Sequence, residues 1–287
     1  RKRSPVMDRV RPAAVAGSFY PSNPEELNRL IDECFESSPL GPQGNQWPSP
    51  SLIGGLVPHA GYIYSGPCAA HFYASLDKSI RRVILLGVNH QARGHRAAMS
   101  PADFWQTPLG PVRIDQESNQ WLQREVSFLS QDESAHAREH SIEVQLPFLH
   151  RALGDFSLVP ISLAHISMEE CLELGTAVAG FLRTHSQSGT RTIVMASSDL
   201  SHYLSPKATD ELDGIALEQI RALDPHALIA AAERENITMC GLLPTAVSLF
   251  AANGLDVKRA RLLKHCHSGD VIPMRKVVGY ASVAFEW

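Results

Sequence analysis

Hydrophobic residues along the chain fall in short runs that alternate with segments of helical periodicity. The runs have the length and β-branched content of buried strands. They cover residues 52–57, 82–88, 156–161, 192–196, 259–263 and 277–285. Apolar residues at helical spacing cover 24–36, 67–76, 141–153, 168–184, 208–223, 225–234 and 244–253. This alternation predicts an α/β fold in which a central, mostly parallel or mixed sheet is flanked by helices.

A loop-like composition, rich in Pro, Gly, Ser and Gln, occurs at residues 37–51. It lies between the first predicted helix and the first predicted strand, so we interpret it as a surface loop and not as a domain boundary. No internal repeat is visible. We therefore predict a single domain over residues 1–287.

Composition narrows the class of protein. The chain has 287 residues, of which 44% are hydrophobic and 20% charged, and these values are typical of a globular protein. A net charge of −4 argues against a nucleic-acid partner, and no apolar run reaches the roughly 18 residues of a membrane span. Five widely spaced cysteines without a CxxC pair argue against a disulfide framework or zinc finger, and they favour a reducing, cytoplasmic location.

Histidines follow three of the predicted strands at equivalent positions. His59 follows the first strand, His90 follows the second, and Asp199 and His202 follow the fourth. In open α/β sheets, ligands bind just beyond the carboxyl ends of parallel strands. A lone histidine after a strand is more often a turn residue than a ligand. The prediction therefore depends on finding histidines at the same position after three different strands. If these strands are parallel, the four side chains share one crevice.

Cys240 lies shortly before the predicted helix 244–253. A thiol near a helix N-terminus tends toward the thiolate, which binds metals or acts as a nucleophile. The alternative is a buried structural cysteine, and the local sequence alone favours that alternative.

The segment 136–140 reads His-Ala-Arg-Glu-His and matches the H-x-x-E-H motif of inverted zincin peptidases. On a helix its two histidines would share one face, with the glutamate available as general base. The preceding residues look like a loop, however, and helical spacing starts only at Ile142. A metallopeptidase is therefore the less favoured alternative, while His140 and Glu143 stay candidates for lining the crevice.

Several motifs occur in order along nearly the whole chain. They are AGSFYP at 16–21, VPHAGYIYSG at 57–66, LGVNH at 86–90, EHSIEVQLPFL at 139–149, SSDLSHY at 197–203, MCG at 239–241 and SGDV at 268–271. Together they resemble the MEMO1 family, which includes the proteins called AmmeMemoRadiSam system protein B. Two positions depart from the family pattern, because Val88 stands where Pro is expected and Leu243 where Gly is frequent.

The resemblance implies a fold like that of class III extradiol ring-cleaving dioxygenases. Those enzymes hold non-haem Fe(II) with two histidines and a carboxylate and use a further histidine as acid/base. Carried over by motif, the metal ligands here would be His59, His90 and Cys240. Asp199 and His202 would be catalytic residues of the same pocket, with His202 at the position of the acid/base.

Two imidazoles and a thiolate favour iron, copper or zinc over magnesium or calcium. Iron (Fe2+) is expected first, by analogy of fold. The expected function is that of a non-haem iron-dependent redox enzyme, and the family's naming suggests AMMECR1-like and radical-SAM proteins as partners. The alternative is a non-catalytic module that holds a metal, a peptide or a small molecule.

Overall fold

The computed structural model describes residues 7–185 and 189–287. The strands are β1 (Val10–Arg11), β2 (Leu52–Val57), β3 (Ile80–Val88), β4 (Ala97–Met99), β5 (Phe104–Thr107), β6 (Gly110–Ile114), β7 (Ser130–Gln131), β8 (Ser157–Leu163), β9 (Arg191–Ser197), β10 (His202–Leu204), β11 (Arg259–His267) and β12 (Val277–Glu286). The helices are α1 (Pro24–Glu36), α2 (Tyr62–Tyr73), α3 (Gln116–Glu125), α4 (Leu146–Leu153), α5 (Met168–His185), α6 (Pro206–Arg221), α7 (Pro225–Glu235), α8 (Leu242–Gly254) and α9 (Ser268–Val271).

One mixed sheet runs through the described residues, with β8, β3, β9 and β2 as its central parallel block. Strand β12 continues the sheet antiparallel to β2 and also pairs with β10 and β11. Leu86 of β3 and Leu56 of β2 both lie opposite Ala196 of β9, so these three strands end at the same level. The predicted α/β class with a mixed sheet is confirmed.

Helices cover both faces of the sheet because the central strands are apolar on both sides. Along β3, Ile84 and Leu86 belong to the core that α5 and α8 cover. Val83 and Leu85 point the other way, into the core under α1, α2 and α4, as the two-residue period of a strand requires. No helix in the described part of the chain combines the length and apolar character needed to cross a bilayer.

Two predicted helices differ at their starts. Helix α2 begins at Tyr62 and contains Pro67 in its interior, whereas the pattern suggested that the proline opens the helix. The predicted helix 141–153 is divided into a 3-10 turn at Glu143–Gln145 and helix α4. Proline lacks the N–H that an α-helix interior needs, and Pro147 accordingly lies in the first turn of α4.

Candidate functional site

Three imidazoles converge beyond the carboxyl edge of the central strands. His59 follows β2, His90 follows β3, and His140 comes from the segment before α4. The His59 ring lies 5.2 Å from that of His90 and 5.3 Å from that of His140, and the last two stack at 4.6 Å. One nitrogen of each ring lies within 4.8 Å of one nitrogen of the others, a spacing that could hold a metal ion.

Glu139 orients the histidine that follows β3. Its Oε1 accepts a 2.8 Å hydrogen bond from His90 Nδ1, and its Oε2 accepts one of 2.7 Å from the His90 main chain. Burial raises the pKa of Glu139, but the hydrogen bonds and charge of His90 outweigh it and bring the pKa to about 2. Because the carboxylate only accepts, His90 carries its proton on Nδ1, and Nε2 is left for a ligand.

Cys240 lies in the turn before α8 and contacts one member of this cluster, His59. Its Sγ lies 3.2 Å from His59 Nε2 and accepts a 3.3 Å hydrogen bond from the main chain of Asp199. Burial and, to a smaller extent, the nearby Asp199 carboxyl together raise the pKa of Cys240 to about 12. Burial thus opposes the thiolate that a helix N-terminus favours, in line with the alternative that the local sequence favours.

Asp199 fixes the loop that carries His59. Its Oδ1 accepts a 2.8 Å hydrogen bond from the His59 main chain, and its Oδ2 lies 4.0 Å from His59 Nε2. Burial raises the pKa of Asp199 to about 6. Burial, together with His140, His90 and His202, holds the pKa of His59 well below its usual value, so its ring is neutral.

His202 begins β10 and is anchored to Thr238. Its main-chain N–H donates to Thr238 Oγ1 at 2.8 Å, and its Nδ1 lies 2.7 Å from the Thr238 carbonyl. A carbonyl only accepts, so Nδ1 carries the proton and Nε2 is the nitrogen that can exchange one with a ligand. The His202 ring lies 5.9 Å from the Tyr203 ring, and its position in one crevice with His59 and His90 stays a prediction.

Glu143 has a structural role and offers no oxygen to the crevice. It is fully buried, and each of its two carboxylate oxygens accepts two hydrogen bonds. The donors are Arg11 Nη1 at 2.7 Å, Ala14 N at 2.8 Å, Val15 N at 3.0 Å and Tyr20 Oη at 2.7 Å. Glu143 therefore holds the N-terminal segment against the site.

The H-x-x-E-H motif does not form a peptidase site. Residues 136–140 are not helical. His136 is fully buried and donates from Nε2 to the Ala98 carbonyl at 3.0 Å, whereas His140 stacks on Phe19 at 4.3 Å. The two histidines thus face different surroundings and cannot share one ion as a helical motif would.

Sequence reasoning missed the residues that hold the candidate ligands. Glu139, Thr238, Ser197 and Gln145 all contact a site histidine or its partner. Only Glu139, next to His140, carried a sequence signal, and that signal suggested a different role for it. The remaining contacts depend on pairing between segments far apart in the chain.

Comparison with known proteins gives consistent matches over almost the whole chain. A family model described as "Memo-like protein" matches residues 11–284. A MEMO1 family protein of Methanopyrus kandleri is 40% identical over 284 residues, covering 96% of this chain and 99% of the relative. MEMO1 family proteins of Ignicoccus hospitalis and Methanocaldococcus jannaschii are 40% and 37% identical and cover 96% and 98% of this chain, and 98% and 100% of their own lengths.

Proposed function

Because this chain belongs to the Memo-like family, we propose that it binds one metal ion through His59, His90 and Cys240. The observation that carries the proposal is the cluster itself. Imidazole nitrogens from separate loops lie within 4.8 Å of one another, and a thiol lies 3.2 Å from one of them. The third imidazole of that cluster belongs to His140, which is therefore a further possible donor.

The donor geometry supports this assignment. Metal–sulphur bonds of about 2.3 Å and metal–nitrogen bonds of about 2.0 Å place two ligands of one ion roughly 3.1–3.6 Å apart. The separation of Cys240 Sγ from His59 Nε2 falls in that range. Metal binding would displace the thiol proton of Cys240, so metal uptake releases a proton.

Iron (Fe2+) is our first choice of metal, with copper and zinc as alternatives. A mixed nitrogen and sulphur set suits all three ions. The preference for iron rests on the likeness of the family to class III extradiol dioxygenases in fold, which is an argument by analogy.

We further propose that the protein is a redox enzyme. A bound ion with an open position would activate dioxygen or a substrate hydroxyl. His202, held through its Nδ1 by Thr238, would move the proton at Nε2. Asp199 would fix the His59 loop relative to the Cys240 sulphur. Its carboxylate accepts a hydrogen bond from the His59 main chain, and its own main-chain N–H donates to the sulphur.

One observation favours the alternative of a binding module without turnover. The third proposed donor is a half-buried thiol, where the ring-cleaving dioxygenases use a carboxylate. Thiolate ligation holds a soft ion tightly and makes ordinary catechol cleavage a poor expectation. Such a module would present the metal, or a bound peptide or small molecule, to a partner.

Anaerobic reconstitution with Fe(II), followed by measurement of oxygen uptake, separates the two functions. Catechols, amino acids and peptides are offered as substrates, with and without AMMECR1-like and radical-SAM proteins, which we propose as partners. Oxygen uptake that His202→Ala abolishes supports the enzyme. Stoichiometric metal without uptake under any of these conditions supports the module. Failure to bind iron, copper or zinc overturns the enzyme and the metal-holding form of the module.

We also propose a cytoplasmic location, for which the support is the set of widely spaced cysteines without a CxxC pair. Fractionation of the source cells tests it. Recovery of the protein from an oxidising or secreted fraction would contradict it.

A further inference from the structure

A chain of buried hydrogen bonds leads from Gln145 to the ring of His59. Gln145 Nε2 lies 2.9 Å from the Pro58 carbonyl and 2.9 Å from Ser197 Oγ. Because the Pro58 carbonyl can only accept, the atom facing it must be the amide nitrogen, and this settles the orientation of the amide. Tyr73 Oη donates to Oε1 on the other side of the same amide, in agreement with that orientation.

The hydroxyl of Ser197, at the end of β9, is the next member of this hydrogen-bond chain. Its Oγ donates to the Ser141 carbonyl at 2.6 Å, which uses the only hydrogen of the hydroxyl. It accepts the second amide hydrogen of Gln145. Toward His59 Nδ1, at 2.9 Å, Ser197 can therefore only accept, so Nδ1 must carry the hydrogen.

We propose that Ser197 and Gln145 are positioning residues that hold His59 as the Nδ1–H tautomer and keep its Nε2 lone pair directed at the metal position. This inference rests on the proposed metal site and extends it to residues that touch no ligand. Both side chains are almost completely buried, at 1% exposure each. Water therefore does not compete for their hydrogen bonds, and the tautomer is set before any ion arrives.

The arrangement matters because a neutral imidazole has two tautomers, and only one of them presents Nε2 as a donor atom. The same logic applies to His90 through Glu139 and to His202 through Thr238. At His59 the acceptor is a hydroxyl, which could also donate. The direction of the Ser197 hydroxyl must therefore be fixed by other groups. These are the Ser141 carbonyl, the Pro58 carbonyl and the Gln145 amide.

The test compares Ser197→Ala, Ser197→Thr and Tyr73→Phe in the full chain. Long-range proton–nitrogen NMR of the metal-free protein at neutral pH reports the tautomer of His59, whose signals are assigned by their loss in His59→Asn. Titration with Zn(II) reports affinity. Tyr73→Phe is the matched control, because it removes a buried hydroxyl from the same chain while the Pro58 carbonyl still orients the amide.

We expect His59 to carry its proton on Nδ1 in the wild type and Tyr73→Phe, and Ser197→Ala to populate the other tautomer. Outer-sphere partners of ligating histidines are typically worth about 10- to 100-fold in metal affinity. Ser197→Ala should lose that amount, and Ser197→Thr, which keeps the hydroxyl, should recover most of it. If Ser197→Ala does not fold, Gln145→Met tests the same series of hydrogen bonds one residue further from the His59 ring.

Two results would overturn the inference. One is a wild-type His59 protonated on Nε2. The other is a Ser197→Ala or Gln145→Met protein that keeps the wild-type tautomer and zinc affinity. Since the NMR measurement needs no metal, a wild type that binds no Zn(II) but shows the Nδ1–H tautomer would refute the metal site alone.

Discussion

The Cys240 sulphur lies 3.2 Å from the Nε2 atom of His59, although 181 positions separate the two residues in the chain. Asp199 connects them, because its main-chain N–H donates to the sulphur while its carboxylate accepts from the His59 main chain. The donor set is thus assembled from separate loops, and its geometry depends on the common level at which β2, β3 and β9 end.

Replacing Cys240 by serine should remove sulphur ligation while leaving the nitrogen donors. In the Co(II)-substituted protein we expect the thiolate-to-cobalt charge-transfer absorption to disappear and affinity to fall by roughly tenfold or more. Cys171→Ala is the control, because Cys171 is buried in the core on α5 and should leave the band intact. A band that persists in Cys240→Ser would exclude this thiol as a ligand.

Replacing His202 by alanine should separate metal binding from turnover. The anchored position of His202 at Thr238 suits proton transfer, so its loss should leave metal stoichiometry unchanged and abolish oxygen uptake. Tyr203→Phe is the control, because Tyr203 is largely exposed beside it. Metal content and oxygen consumption are measured on the same preparations. A His202→Ala protein without metal would contradict the assigned role.

The ion pair between Arg11 and Glu143 should contribute strongly to stability. Both side chains are buried and 2.7 Å apart, so Arg11→Met leaves a buried carboxylate without its cation, at a cost of about 3–5 kcal/mol. Arg151→Met is the control. Its 3.0 Å pair with Asp32 is half-exposed, and about 0–1 kcal/mol is expected. Urea denaturation measures both, and equal losses would contradict the prediction.

His136 should make the fold sensitive to acid. Burial, with Arg11 nearby, lowers the pKa of His136 from 6.5 to about 3. The unfolded chain therefore takes up a proton that the folded chain refuses. This contribution to stability is fully present above pH 6.5 and is lost as pH falls toward 3. In His136→Gln the free energy of unfolding should depend less steeply on pH in this window.

The exposed His226 provides the control for that measurement. His226→Gln should follow the wild-type pH profile, as determined by urea denaturation at each pH. An unchanged profile in His136→Gln would show that another group causes the acid sensitivity.

The strands that carry His59 and His90 could be predicted because parallel central strands are apolar on both faces and end where polar residues begin. The bounds of β2 match the prediction, and β3 begins two residues earlier. Helix α3 was not predicted, because some of its buried positions are polar. Its buried positions include Ser118 and Asn119, so the segment lacks an apolar period.

The completed site could not be read from local sequence. Nothing near Cys240 indicates His59 as its neighbour, because only the fold brings them together. His140 was only a candidate for lining the crevice, and it reaches the cluster from a non-helical segment that Glu143 and Arg11 hold in place. Long-range hydrogen bonds of this kind leave no periodic pattern.

Anaerobic titration with Fe(II), with bound metal quantified per chain, tests the central claim most directly. The account predicts one ion per wild-type chain, loss of binding in His59→Ala and in His90→Ala, and unchanged binding in His226→Ala, which removes an exposed histidine. A wild type that takes up no ion, or His59→Ala and His90→Ala proteins that bind as the wild type does, would contradict it.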